Sequence, residues 1–72
     1  MEKVIISSEY ITLGQFLKFV GVIDCGSYAK QFLLEEKVLI NNEQDQRRGR
    51  KIYPGDVVEV LKKRYEVDKV VS

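Results

Sequence analysis

The sequence has no histidine, no tryptophan and a single cysteine, Cys25. Without histidine there is no general base for serine–histidine or cysteine–histidine catalysis. A structural zinc site draws its ligands mainly from Cys and His, and an internal disulfide needs two cysteines, so this chain alone can form neither. We therefore expect no metal, no cofactor and no enzymatic activity.

Long apolar segments are also missing. The longest stretch without a charged residue, residues 10–17, falls well short of the roughly 18 residues that a membrane-spanning helix needs. The first residues do not show the basic start, long apolar run and small-residue cleavage site of an export signal. We expect a cytoplasmic protein with no membrane partner.

The length and composition fit one small globular domain. The chain has 72 residues, of which 44% are hydrophobic and 32% charged, which is ordinary for a folded soluble protein. A chain this short has no room for a second core, so we expect a single domain over residues 1–72. A stable core and a catalytic cleft rarely fit together at this size, which favours binding over catalysis.

The basic residues cluster at one place, although the formal net charge is only +1. Four of the five residues in Arg47-Arg48-Gly49-Arg50-Lys51, here called the basic run, are cationic. The planar arginine fork matches phosphate, so the run is a candidate nucleic-acid contact. The alternative is a solvated face, or a guard against pairing between exposed strand edges.

Two helices are predicted in the first half of the chain, after a strand at residues 3–6. Thr12 and Gln15 form a capping box that opens the first helix, and Gly21 ends it. The second helix is predicted from an N-cap at Ser27 to about Glu36, with Tyr28 on its buried face.

The second half of the chain shows strand and turn signals. Asn41-Asn42 is predicted as a hairpin turn and Tyr53-Pro54-Gly55-Asp56 as a type II turn. The predicted strands are residues 38–40, the return through the basic run to residue 52, residues 57–61 and residues 65–71. We expect the last strand to pair with residues 4–6.

The start of the second helix is a second candidate anion site. With Ser27 as N-cap, Lys30 lies in the first turn, where the helix dipole disfavours a cation. A phosphate bound to the unpaired backbone N–H groups would explain that cation. The alternative is that Asp24 is the cap and Lys30 is an ordinary solvated side chain.

The order of these segments resembles a known family. The residues that carry the resemblance are Leu13 and Leu17 in a helix ending at Gly21, Ser27-x-Ala29-Lys30, Val38-x-Ile40-Asn41, the basic run, and residues 54–60. Together they resemble the S-four RNA-binding domain, named for a small-subunit ribosomal protein, over about residues 11–60. The short chain, residues 26–30 and the basic run are similar to the small stand-alone bacterial members of YaaA/YbcJ type.

The resemblance implies an α+β protein with the αL RNA-binding fold, in which two short helices pack on a small, mostly antiparallel sheet. It implies that RNA is bound by the helix pair and a basic hairpin. The RNA-binding residues implied are Ser27, Lys30, Gln31, Arg47, Arg48, Arg50 and Lys51, with Lys18 and Gly26 as further candidates. Thr12 and Gly26 stand where many members carry arginine, which leaves more of the binding to the hairpin.

These observations lead to one expected function and two alternatives. We expect non-catalytic binding of structured RNA, in particular ribosomal RNA or a ribosomal subunit, in ribosome assembly or maturation. The first alternative is a protein-interaction adaptor with the same fold and little RNA affinity. The second, an enzyme, would need a partner to supply the chemistry.

Overall fold

The helices and strands follow the order that the sequence predicts, with additional short strands. The computed structural model describes residues 1–70. The strands are β1 (Glu2–Ile6), β2 (Ile11–Thr12), β3 (Val38–Ile40), β4 (Glu43–Gln44), β5 (Lys51–Ile52), β6 (Val57–Val60) and β7 (Lys63–Lys69). The helices are α1 (Leu13–Phe19) and α2 (Ala29–Glu35), and a 3₁₀ turn over Gly26–Tyr28 leads into α2.

A five-stranded sheet in the order β1-β7-β6-β3-β4 forms the larger layer. Only β1 and β7 are parallel in this sheet, and the other neighbours are antiparallel. The predicted α+β class with a mostly antiparallel sheet is confirmed. The expected pairing of the last strand with residues 4–6 is also confirmed, with Val4 opposite Val67; position 71 of that predicted strand lies outside the described residues.

Two tight hairpin turns set the register of the antiparallel strands. Asn41 and Asn42 have φ values of 53° and 69°, as a two-residue type I′ turn requires, so the predicted hairpin turn is confirmed. Leu61 and Lys62 connect β6 to β7 with φ values of 51° and 65°. The predicted strand over residues 57–61 is therefore one residue too long, because Leu61 belongs to the turn.

The helix α1 supplies the centre of the core. Leu13, Phe16 and Leu17 are fully buried, as the spacing of apolar residues predicts. Phe16 packs edge-on against Tyr65 of β7, with ring centroids 5.6 Å apart. The Thr12–Gln15 capping box is present in both directions, which confirms the predicted start of the helix.

The prediction that Tyr28 lies in the core is wrong. Its side chain is 59% exposed, whereas Ala29 and Leu33 of the same segment are buried. Tyr28 belongs to the 3₁₀ turn, which advances by about 120° per residue instead of 100°, so the face deduced from α-helical spacing does not extend back to it. None of the helices in residues 1–70 combines the length and apolar character needed to cross a membrane.

Candidate nucleic-acid interface

Residues 47–50 of the basic run lie in a loop between two sheets, and Lys51 begins β5, so the prediction of the run as the return strand of a hairpin is wrong. After β4, the chain leaves the five-stranded sheet, and β5 pairs with β2 instead, with Ile11 opposite Ile52 and Thr12 opposite Lys51. Residues 45–50 therefore form a connection, here called the β4–β5 loop. Gly49 lies in a turn of this loop, where the Arg50 N–H donates to the Arg47 carbonyl at 3.1 Å.

The carboxylate of Asp45 organises the β4–β5 loop. It accepts hydrogen bonds from the Arg47 backbone N–H at 2.8 Å, from Arg47 Nη2 at 2.8 Å and from Arg50 Nη1 at 2.8 Å. Only 8% of the Asp45 side chain is exposed, compared with 73% for Arg47 and 28% for Arg50. One carboxylate thus partly neutralises two of the four cations of the basic run.

The hydrogen bonds keep Asp45 ionised. The hydrogen bonds from the Arg47 side chain are the main reason that the pKa of Asp45 lies well below its usual range. The hydrogen bond from the Arg50 guanidinium lowers this pKa further. The same contact raises the pKa of Arg47. Such charge-assisted bonds are stronger than neutral ones. Asp45 therefore holds both arginines against the loop, and Arg50 is the less exposed of the two.

The backbone of the basic run is fixed against the first turn of α1. The Leu13 N–H donates to the Arg50 carbonyl at 2.8 Å, and the Gly14 N–H donates to the Arg48 carbonyl at 2.9 Å. The first N–H groups of a helix have no partner inside the helix, so the loop carbonyls satisfy donors that would otherwise need water. The position of the basic run is therefore set by a helix of the core.

Gly14 lies where the basic run and α2 come close together. A Cβ atom on Gly14 would lie 3.4 Å from the Arg48 carbonyl oxygen and 3.5 Å from the Cβ atoms of both Arg48 and Ala29. Arg48 and Ala29 are thus neighbours of the same point on α1. The basic run and the start of α2, which lie 18 positions apart in the sequence, meet beside this glycine.

Four cations of this region are exposed and lack an ion-pair partner within residues 1–70. They are Lys18, Lys30, Arg48 and Lys51. The Lys51 ammonium lies 4.9 Å from the centroid of the Tyr10 ring, a cation–π contact that leaves its charge available to solvent. These side chains carry most of the uncompensated positive charge, because Asp45 offsets one of the two charges of Arg47 and Arg50.

The start of the second helical segment differs from both sequence interpretations. The N-cap of the 3₁₀ turn is Cys25, with no side-chain capping bond, so neither Ser27 nor Asp24 is the cap. The Tyr28 and Ala29 N–H groups donate to the carbonyls of Cys25 and Gly26. Because the turn uses these donors itself, Lys30 does not stand beside the row of unpaired N–H groups that the sequence suggested.

The remaining predicted residues of this corner bond to their neighbours. Ser27 Oγ lies 2.9 Å from Cys25 Sγ, and Gln31 donates to Glu35 at 2.6 Å. The Ser27 hydrogen bonds are the main cause that lowers the pKa of Cys25, and the charge of Lys18 contributes. Lys18 therefore acts electrostatically on the corner where Gly26 begins the 3₁₀ turn.

Sequence reasoning missed three residues that shape the interface: Gly14, Asp45 and Tyr10. An Asp side chain often accepts a hydrogen bond from the backbone N–H two residues further along the chain. The local sequence could therefore have predicted the Asp45–Arg47 contact. Gly14 and Tyr10 depend on the pairing of β2 with β5, which joins parts of the chain about 40 residues apart and leaves no local signal.

The family follows from comparison with known proteins. Residues 4–68 match the S4 domain, so the chain belongs to the S4 domain family, and the resemblance noted from the sequence is confirmed.

Among individual relatives, the chain is similar to a Bacillus subtilis (strain 168) protein named "Probable ribosome maturation protein RlbA". The two are 62% identical over 55 residues, which cover 76% of this chain and 78% of the relative.

Proposed function

We propose that this protein binds structured RNA without catalysis, that the RNA is ribosomal, and that the binding serves ribosome maturation in the cytoplasm. Membership of the S4 domain family and the name of the Bacillus subtilis relative support the proposal. One structural observation carries it. The backbone of the basic run is hydrogen-bonded to the first turn of α1, beside the start of α2.

This arrangement suits a phosphate backbone. Arg48 comes from the β4–β5 loop, Lys51 from β5, Lys30 from α2 and Lys18 from α1, and all four are exposed. A rigid loop presents these cations with less loss of entropy on binding than a mobile one. Double-stranded RNA is recognised mainly by its shape and its phosphates, which such a surface can contact without reading base edges.

The other residues implied by the family resemblance take supporting roles in this proposal. Arg47 reaches RNA with the part of its guanidinium that Asp45 leaves exposed, and Arg50 holds the loop in shape. Ser27, Gln31 and Gly26 line the corner next to Lys30 as polar contacts. The absence of histidine argues against catalysis of the serine–histidine or cysteine–histidine type.

The salt dependence of RNA affinity tests the proposal. If Lys18, Lys30, Arg48 and Lys51 each contact a phosphate, the affinity for a fully paired RNA hairpin should fall about 50- to 150-fold between 50 and 200 mM salt. Fluorescence anisotropy with a labelled hairpin measures this. Weak binding with no salt dependence would reject RNA as the ligand.

The alternative of a protein-interaction adaptor has one observation in its favour. An open, mostly apolar cleft of about 500 Å³ lies next to Lys18. Its apolar lining includes Ile5, Ile11, Phe19 and Val70. Exposed apolar surface of this kind is typical of protein contacts. An adaptor that used this cleft would show no steep salt dependence with RNA, so the same titration distinguishes the two functions.

A further inference from the structure

Two exposed tyrosines lie together at the edge of the basic run. Tyr10 directly precedes β2 and Tyr53 directly follows β5, so the pairing of these two strands brings the rings together. The ring centroids are 5.8 Å apart with an interplanar angle of 48°. Tyr10 is 38% exposed and Tyr53 is 47% exposed, so this aromatic pair is open to a ligand.

The structure holds both rings in place. Lys51 lies over the Tyr10 ring, and Tyr10 in turn packs against Tyr53. The Tyr53 N–H donates to Asp56 Oδ2 at 2.8 Å, and the Asp56 N–H donates to the Tyr53 carbonyl at 3.0 Å. Because its backbone is fixed by this turn, the Tyr53 ring is preorganised for binding.

Tyr53 also borders a shallow cleft whose other walls are cationic. The cleft has a volume of about 430 Å³. Besides Tyr53, it is lined by Arg47, Gly49, Arg50 and Lys51. A flat aromatic face beside positive groups is the combination that single-stranded nucleic-acid sites use, since the ring stacks on a base while the cations hold the adjoining phosphates. An apolar ligand would not need the cations, and a phosphate alone would not need the aromatic ring.

We propose that Tyr53 stacks on one unpaired RNA base, and that Tyr10 is a positioning residue that orients Tyr53 and Lys51. This inference rests on the proposed function, in which the cations nearby bind the paired stem. Bases inside a duplex are already stacked on each other and cannot reach the ring. The ligand of the complete site is therefore a helical RNA with a bulged or looped-out nucleotide next to the stem.

Three RNA hairpins and two variants of Tyr53 test the inference. The hairpins share one stem, which is fully paired, carries one bulged adenosine, or carries an abasic bulge with the same backbone. Tyr53→Leu removes the π-face, and Tyr53→Phe keeps it. Loss of one stacked base should weaken binding about 5- to 150-fold. We expect this loss for Tyr53→Leu with the adenosine bulge only, and near-normal binding for Tyr53→Phe.

Two controls separate stacking from general damage. Phe19→Leu changes another exposed aromatic, at the end of α1 opposite its contact with the basic run, and should bind all three hairpins normally. In the unmodified protein, 2-aminopurine at the bulge should lose fluorescence on binding, because stacking quenches it. This second measurement does not depend on whether the Tyr53 variants fold.

The outcomes distinguish the inference from the function on which it rests. If the protein binds the paired, bulged and abasic hairpins equally and 2-aminopurine keeps its fluorescence, the stacking inference is overturned and the RNA-binding function stands. If it binds none of the hairpins, both are overturned. A loss for Tyr53→Leu that is equal with all three hairpins would also overturn stacking, since it would reflect damage to the loop.

Discussion

Replacing Arg48 and Lys51 together by alanine should reduce the affinity for a paired RNA hairpin about 25- to 60-fold at 0.1 M salt. The reason is that two phosphate contacts, each releasing a counterion, are lost at once. The slope of log affinity against log salt should become less steep by about 1.4 to 1.8. Fluorescence anisotropy over a salt series measures both changes.

A matched variant controls for net charge. Lys63→Ala with Lys69→Ala removes the same two positive charges from β7, which is separated from β4 by two strands of the sheet. This variant should keep most of the affinity and the original salt slope. If both double variants weaken binding equally, RNA responds only to the total charge and the proposed interface is wrong.

Replacing Asp45 by asparagine should lower the free energy of unfolding by about 1–3 kcal/mol at neutral pH, because charge-assisted hydrogen bonds to two arginines are lost in a nearly buried site. An amide is uncharged, and its NH₂ group cannot accept from a guanidinium. Urea unfolding followed by circular dichroism measures the change.

The pH dependence of this effect has a definite sign. The pKa of Asp45 is lower in the folded protein, so its contribution is fully present above the ordinary carboxyl value of about 4 and is lost as the pH falls below it. The difference between the natural protein and Asp45→Asn should therefore be constant from pH 5 to 7 and shrink in more acidic solution.

Asp68→Asn is the control for this measurement. Asp68 is half-exposed and lies 3.7 Å from the Lys3 ammonium, so its loss should change stability by less than about 1 kcal/mol. Equal effects of the two substitutions at pH 7, or an Asp45→Asn effect that does not shrink in acid, would contradict the structural role given to Asp45.

Most of the fold could be predicted because its signals are local. The Thr12–Gln15 capping box, the apolar face of α1 and the Asn41-Asn42 turn each need only a few neighbouring residues to be recognised. The pairing of β1 with β7 could be predicted because both segments carry strand patterns and lie at the two ends of the chain.

The predictions that failed depended on contacts that are distant in sequence. The Asn-Asn turn before the basic run predicts a hairpin strand there, whereas the Arg47 N–H donates to Asp45 in a loop and β5 pairs with β2. Ser27 has the residue type of an N-cap, but a 3₁₀ turn satisfies the donors that it would have capped. A Ser residue type can suggest a helix N-cap. Whether the first N–H groups of the helix need a side-chain acceptor depends on the backbone conformation before it.

In the candidate site, too, local features could be predicted and contacts distant in sequence could not. The sequence indicated which segments carry the cations, and a charge count included Asp45 among the acidic residues. A charge count does not show which cations a carboxylate neutralises. In such a count, Arg47 and Arg50, which pair with Asp45, have the same weight as Arg48 and Lys51. The basic run meets α2 beside Gly14, and this contact between segments distant in sequence is not revealed by any charge pattern.

The central claim is that RNA binds where the basic run meets the starts of α1 and α2. Backbone amide chemical shifts of the ¹⁵N-labelled protein, followed as a bulged RNA hairpin is added, test it most directly. The account predicts that the largest shifts fall in residues 13–14, 18, 26–31 and 47–53, with little change in β1 and β7. Shifts concentrated in β1 and β7, or no shifts at micromolar RNA, would contradict it.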